Sequence, residues 1–285
     1  MKNFKTTLIN HQEWMSENLN VSNFKNGDPI PYARTKEEWV KAAEEHSPAW
    51  CYPSHNEELI DSHGKLYNKF ALNDSRGLAP NGFVIPSTKH YGQLIQMLDG
   101  HVIAAIKMKS TDGWEQLNLG NSGKVISGCG TNESRFNAYP TPYRDEYGNY
   151  HYSQDELFYW TNKDYIYKDS KEFNLSSFDN YGTSYAIKIC NGNYRMYPED
   201  NIVLDFCSNG AGLPVRCVKE NSQLNTACNS VQYWSEECDH SYYDLIDSFV
   251  KTIKLYVHYD EDYIIKKLRE TSVQKTEEGR QDGQF

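Results

Sequence analysis

An α+β fold with short antiparallel strands, two helices and long loops, continued by a C-terminal helical extension, is what this sequence predicts. Three observations lead there. Aromatic residues make up 14% of the chain and much of its 38% apolar content, and they lie among many Asn, Ser and Gly, a composition suited to loop-rich β structure rather than long helices. Two capped amphipathic segments occur in the N-terminal third. Between Trp114 and Lys219 short runs alternate with Gly, Asn, Asp and Pro, the punctuation of strands joined by loops.

In chain order, Pro29 and Pro31 hold the approach to the first helix extended. Thr35 then begins T-K-E-E, a capping box with Glu38, and a helix runs through Trp39, Ala42 and Ala43 to about His46. Ser87 caps a second helix, in which Tyr91, Leu94, Ile95 and Leu98 form one apolar stripe that stops at Gly100. SYAIKIC (184–190), Ile202 to Cys207 and LPVRCV (213–218) have strand character; in the last, Val215 and Cys217 point one way and Arg216 the other. Ser241 and Asp244 start a further helix whose stripe is Leu245, Ile246, Phe249, Ile253 and Tyr256. Composition shifts near Glu220, since residues 220–285 carry seven basic and thirteen acidic side chains. The expected organisation is a domain over 8–219, an acidic helical extension over 220–270 and a disordered tail over 271–285.

Charge and apolar runs exclude several partners. A formal net charge of −10, with no basic patch, argues against nucleic acid. No apolar run approaches the roughly 20 residues that span a bilayer, so membrane insertion is not expected. Nothing in residues 1–11 exceeds Leu8-Ile9 as an apolar run, whereas a secretory leader needs roughly 7 to 15 such residues; synthesis in the cytoplasm without a signal peptide is the expectation.

The order of several longer motifs is more specific than any composition. QEWMSENLNVSNFKNGDPIPYARTKEEWVKA (12–42), GKLYNKFALNDSRGLAPNGFVIPSTKHYGQLI (64–95), KMKSTDGW (107–114), GTNESRFNAYPTPYRDEYGNY (130–150), YWTN (159–162) and GLPVRCV (212–218) follow one another as in the Fibrobacter succinogenes major paralogous domain, which the chain resembles over residues 8–219. The resemblance implies a C-type-lectin-like fold, related to formylglycine-generating enzymes and to the variable proteins of diversity-generating retroelements, in which QEWMSENLN (12–20) is the first strand, sending Trp14, Met15 and Leu19 into the core, with a closing strand beside it. It also implies an exported surface protein of Bacteroidetes or their relatives. Within GTNESRFNA, Asn132 and Glu133 are placed to bond loop backbone while Phe136 anchors the segment.

Candidate chemistry is thin, and neither a catalytic residue nor a cofactor is expected. A calcium-dependent lectin needs Glu-Pro-Asn or Gln-Pro-Asp with Trp-Asn-Asp to supply oxygen ligands. The nearest echo is Trp160-Thr161-Asn162-Lys163-Asp164, read as a core tryptophan beside a loop asparagine. Copper chemistry of the enzymatic relatives needs two neighbouring thiolates; Cys207 and Cys217 are the candidates, read instead as buried thiols. A bridge among Cys190, Cys207 and Cys217 stays open in an oxidising compartment. His55 and His63 beside Glu57, Glu58 and Asp61, and Cys228, Cys238 and His240, are weak metal sets read as solvated or structural residues.

What remains is a surface rich in Tyr and Asn: Tyr181, Tyr185, Asn191, Asn193, Tyr194, Arg195, Tyr197, Asn201 and Asn209. Tyrosine brings large contact area with few rotatable bonds and asparagine adds adaptable hydrogen bonds, a pairing suited to glycan or protein recognition. The expected function is a non-catalytic, adhesin-like ligand-recognition module, carbohydrate binding included, in a setting such as phage receptor binding or an injection system. Residues 239–270 would serve docking or homo-oligomerisation. The alternatives are a cytoplasmic partner-binding protein working through its C-terminal helices, and a formylglycine-generating-like copper oxidase.

Overall fold

The computed structural model describes residues 4–55, 63–118, 125–164, 181–191 and 201–220, all within one compact unit, Met1–Tyr233. The expected extension beyond Glu220 and the tail, Glu57, Glu58 and Asp61 between His55 and His63, and Cys228, Cys238 and His240 lie outside the described residues.

The chain starts with a hairpin. β1 (Thr6–Ile9) pairs antiparallel with β2 (Gln12–Met15), so the QEWM stretch expected to be the first strand is the second. Trp14, Met15 and Leu19 are fully buried, as the resemblance implied. The closing strand β13 (Val218–Lys219) lies on the other side of β2, with Val218 opposite Trp14, and β5 (Phe83–Val84) completes a sheet of order β1-β2-β13-β5. The approach to β13 is tied strand by strand: Leu19 N–H donates to Val215 O at 2.8 Å, Trp160 N–H to Pro214 O at 3.3 Å, and Met15 N–H to Cys217 O at 2.9 Å.

A second sheet contains β10 (Glu156–Asp164), β11 (Thr183–Cys190) and β12 (Asn201–Ser208) in that order. Asn162 therefore belongs to a strand rather than a loop, its N–H donating to Pro86 O at 2.9 Å. Short ladders add β3 (Trp50–Cys51) with β4 (Leu66–Tyr67), β6 (Leu117–Asn118) with β7 (Val125–Ile126), and β8 (Tyr143–Arg144) with β9 (Tyr150–His151). The described chain is thus mixed α/β, built of short antiparallel strands and few helices.

Helix α1 (Lys36–Glu44) carries the expected capping box: Glu38 N–H donates to Thr35 Oγ1 and Thr35 N–H to Glu38 Oε2, both at 3.2 Å. α2 (Lys69–Asn73) is one turn long, capped by Asn68, whose Oδ1 accepts from both Ala71 N–H and Ala49 N–H. α3 (Thr88–Met97) begins at Ser87 and buries Tyr91, Leu94 and Ile95. The chain does not then enter a loop. Asp99 and Gly100 adopt φ values of +72° and +92°, and α4 (His101–Met108) starts at once, burying Ala104, Ala105 and Met108 and packing against β12. Its run HVIAAIKM is too uniformly apolar to show a helical stripe, so period reading missed it.

Trp50, Tyr67, Phe158, Trp160, Leu213, Val215 and Cys217 share a core cluster, while Trp39, Ala49, Cys51 and Leu66 form a satellite under α1. Trp14 meets Tyr91 at 5.0 Å and Phe136 at 5.5 Å, which joins β2, α3 and the GTNESRFNA loop. Burying so many aromatic rings is the dominant stabilising contribution here.

Candidate functional site

Two fully buried arginines organise the parts that reach the surface. Arg216, expected to face away from Val215 and Cys217, does so, yet it is only 1% exposed because that opposite face is covered as well. Its guanidinium donates to Asn18 Oδ1 (2.6 and 3.0 Å), Tyr159 OH (2.9 Å), Met15 O (3.3 Å), Asn137 O (3.3 Å) and Phe136 O, and lies 4.6 Å from the Phe136 ring centre. Every one of these acceptors is neutral. The positive charge is held by oriented dipoles and aromatic faces instead of a carboxylate. In the loop it fixes, Asn137 N–H donates to Asn132 Oδ1 at 2.9 Å, and Ser134 Oγ donates to Lys107 O at 2.8 Å while accepting from Phe136 N–H. Asn132 thus bonds loop backbone as its motif implied, and Ser134 does so beside it, while Glu133, expected to share that role, enters through its backbone N–H donating to Thr131 Oγ1 at 3.4 Å.

Arg144 does the same for the hairpin of β8 and β9. It is fully buried between Trp39 (5.0 Å) and Tyr150 (4.9 Å) and donates to Gly148 O, Ala33 O and Thr35 O. Its backbone pairs in both directions with Gly212. The hairpin turn is closed by Asp145, whose carboxylate accepts from Asn149 N–H at 2.8 Å and from Asn149 Nδ2 at 3.0 Å, with Gly148 at φ +80°. Glycine suits that left-handed position because it has no Cβ to clash.

The outer side of this hairpin is aromatic and polar. Tyr143 and His151 are directly opposite in the ladder and stack with centroids 4.6 Å apart and planes 9° from parallel. His151 Nε2 lies 2.9 Å from Asp145 Oδ2. Burial alone would raise the Asp145 carboxyl, but hydrogen bonds from His151 and Asn149 outweigh it and hold the group below the usual carboxylate range. Tyr143 is half-buried; burial first, then the charge of Glu156, pushes its phenol up to about 12, so it stays a neutral donor. Beside it Lys188 pairs with Glu156 at 2.7 Å. Tyr147 at the turn is 52% exposed and Tyr152, just after β9, is 65% exposed.

The residues singled out from sequence divide. Tyr181 is half-buried, and burial, followed by the negative charge of Glu44, raises its phenol. Tyr185 is half-buried on β11, opposite Phe206, which is 42% exposed. Asn209 accepts from Ser184 Oγ at 2.6 Å, closing the β11–β12 end. Asn191 is corrected: at 2% exposure its side chain accepts from Lys109 Nζ at 2.7 Å and donates to Glu115 O at 3.0 Å, which leaves it turned inward. Asn201 is described through its backbone alone, as the partner of Cys190, and Asn193, Tyr194, Arg195 and Tyr197 lie outside the described residues. The hairpin tyrosines were missed although their close spacing, at 143, 147, 150 and 152, was visible.

Cys51, Cys129, Cys190, Cys207 and Cys217 are free thiols, so no bridge joins Cys190, Cys207 and Cys217 here. Burial pushes Cys217 up to about 12 and Cys207 higher still, the opposite of the depressed value that marks a reactive thiol. Among the described residues no group of three or more His, Cys, Asp and Glu is arranged to hold a metal, and no helix is long and apolar enough to cross a membrane.

Frame and surface together define a small antiparallel α+β domain with an arginine-anchored aromatic hairpin on its outside. The chain belongs to the Fibrobacter succinogenes major domain family, whose model matches residues 8–219. No curated protein and no solved structure matches it.

Proposed function

We propose that this chain is a non-catalytic recognition module that binds a glycan through the hairpin of β8 and β9 and the adjoining Tyr181. The single observation behind this reading is the exposure of Tyr147, His151 and Tyr152 on a turn that Arg144, Asp145 and Gly148 lock from beneath. A ligand meeting rigid rings forfeits little ordering entropy, and sugar rings offer apolar faces to pack on aromatics while their hydroxyls reach Asp145, Asn149 and Glu156. The C-type-lectin-like relationship implied by the motif order is supported by the pairing of β2 with the closing β13.

The test is a glycan array probed with the intact chain and with a Tyr147→Ala/Tyr152→Ala variant of unchanged circular dichroism. The expected result is retention of a defined set of glycans by the native chain and their loss in the variant. No glycan bound, or equal binding by both, overturns the reading. A Tyr181→Ala/Tyr185→Ala variant run beside it reports whether the β11 end shares the surface.

A further inference from the structure

Beside the exposed tyrosine of the hairpin tip lies a carboxylate with nothing bonded to it. Glu146, in the turn between β8 and β9, is 8% exposed, and its side chain has neither a hydrogen bond nor an ion pair among the described residues. The buried lysines and arginines are all bonded: Lys65 donates to Ser22 Oγ, Lys69 to Thr161 O at 2.8 Å, Lys109 to Asn191 Oδ1 at 2.7 Å, and Arg144 and Arg216 to backbone and side-chain oxygens. Taking a carboxylate out of water without a partner is costly, and such a group asks for a cation that the chain itself does not supply.

The surroundings close over the stem of Glu146 and leave its head open. A Cβ placed on Gly210, just after β12, would stand 2.9 Å from the Glu146 Cβ and 2.9 Å from the Ala43 Cβ, so the turn, α1 and the end of β12 meet tightly there. Tyr91 OH is the one fully covered, unbonded side-chain atom among the described residues, so the Glu146 oxygens still reach solvent. Glu44 ends α1 directly after Ala43. Asn209, directly before Gly210, donates its N–H to Gly182 O at 2.9 Å, which brings Tyr181 to the same place. Burial raises the Tyr181 phenol, and the negative charges of Glu44 and Glu146 raise it further. The lysines of α1 are engaged elsewhere, Lys36 Nζ donating to Asn149 Oδ1 at 2.7 Å and Lys41 facing Glu45 at 3.8 Å.

The chemistry of this corner suits an organic cation better than a bare ion. A hard metal ion collects more oxygen ligands than two carboxylates provide, and among the described residues no group of three or more His, Cys, Asp and Glu is arranged to hold one. A protonated amine needs less: one carboxylate to pair with, a second adding negative potential, and aromatic rings beside it, here Tyr147 and Tyr181. We propose that the glycan held by this hairpin carries a free, protonated amino group that pairs with Glu146, which rests on the recognition reading and narrows it to amino sugars. N-acetylation removes the charge and adds bulk, and so destroys the match.

The experiment is isothermal titration of the full chain at about pH 6, where a free amine is protonated, with a glucosamine hexasaccharide and separately with its fully N-acetylated counterpart. The expected result is binding of the free-amine form about ten-fold tighter or more. Glu146→Gln, which keeps the size and removes the charge, binds the two forms alike, with circular dichroism and Tm confirming its fold. Because a net charge of −10 attracts any polycation, Glu133→Gln, an exposed carboxylate on another loop, is the control that retains the preference. Equal binding of the two forms by the native chain, binding of neither, a preference that survives Glu146→Gln, or one that Glu133→Gln abolishes would each overturn the inference, and the first two need no variant to fold. Neutral glycans retained on the array through Tyr147 and Tyr152 without any preference for the amine overturn this inference alone and leave the recognition reading standing; no glycan retained and neither hexasaccharide bound overturns both.

Discussion

Replacing Arg216 by lysine preserves the charge and most of the length, and the structure says the exchange is severe. The guanidinium serves five acceptor atoms: Asn18 Oδ1, Tyr159 OH, Met15 O, Phe136 O and Asn137 O. An ammonium has three donors on one nitrogen, so at least two of those acceptors lose their bond. Each buried group left unbonded costs about 1–3 kcal/mol, and Tyr159 OH keeps its own bond to Asn18 at 3.1 Å, which limits the loss. The expected destabilisation is about 2–4 kcal/mol, or on the order of 4–16 °C in Tm for a domain of this size. Urea unfolding followed by the fluorescence of the buried Trp14, Trp39, Trp50, Trp114 and Trp160 measures it, with the midpoint falling and the slope unchanged. A change below about 0.5 kcal/mol, the range of ordinary surface substitutions, would refute the assignment of Arg216 as a buried hub.

Four further outcomes are expected. Thr35→Ala removes the acceptor for Glu38 N–H and lowers stability by about 1 kcal/mol, read as a shift in Tm. Gly130→Ala drives a methyl into the carbonyl oxygens of Ile106 and Lys109, where backbone must move, and costs about 1–3 kcal/mol by urea titration. Iodoacetamide at about pH 8, near the ordinary thiol range, modifies the half-exposed Cys129 well before Cys51 or Cys217, as mapped by peptide mass. The Cys217 thiol has its folded value raised to about 12, so its contribution is complete below the ordinary thiol value of about 8.5 and declines as pH climbs between the two; Cys217→Ala flattens that alkaline limb.

Local chemistry determined a good deal by itself. The capping box at Thr35, the cap at Ser87 and the apolar stripe of Tyr91, Leu94 and Ile95 depend on neighbours a few residues apart, and those neighbours are written in order along the chain. The motif order likewise placed residues 8–219 in their family. Other features depend on contacts across the whole chain, to which periodicity is blind. Arg216 looked outward by alternation because a strand shows only which side a residue takes; that the second side is covered by Asn18, Phe136 and Tyr159 is decided by segments up to 198 positions away. Asn191 looked like a surface amide and is instead the acceptor for Lys109, 82 positions upstream. The unbonded carboxylate of Glu146 follows from Ala43 and Gly210 closing over its stem, and the exposed rings of Tyr147 and Tyr152 from the buried Arg144 beneath them. Burial and pairing are properties of the assembled fold, and so the surfaces available for recognition were decided by tertiary structure.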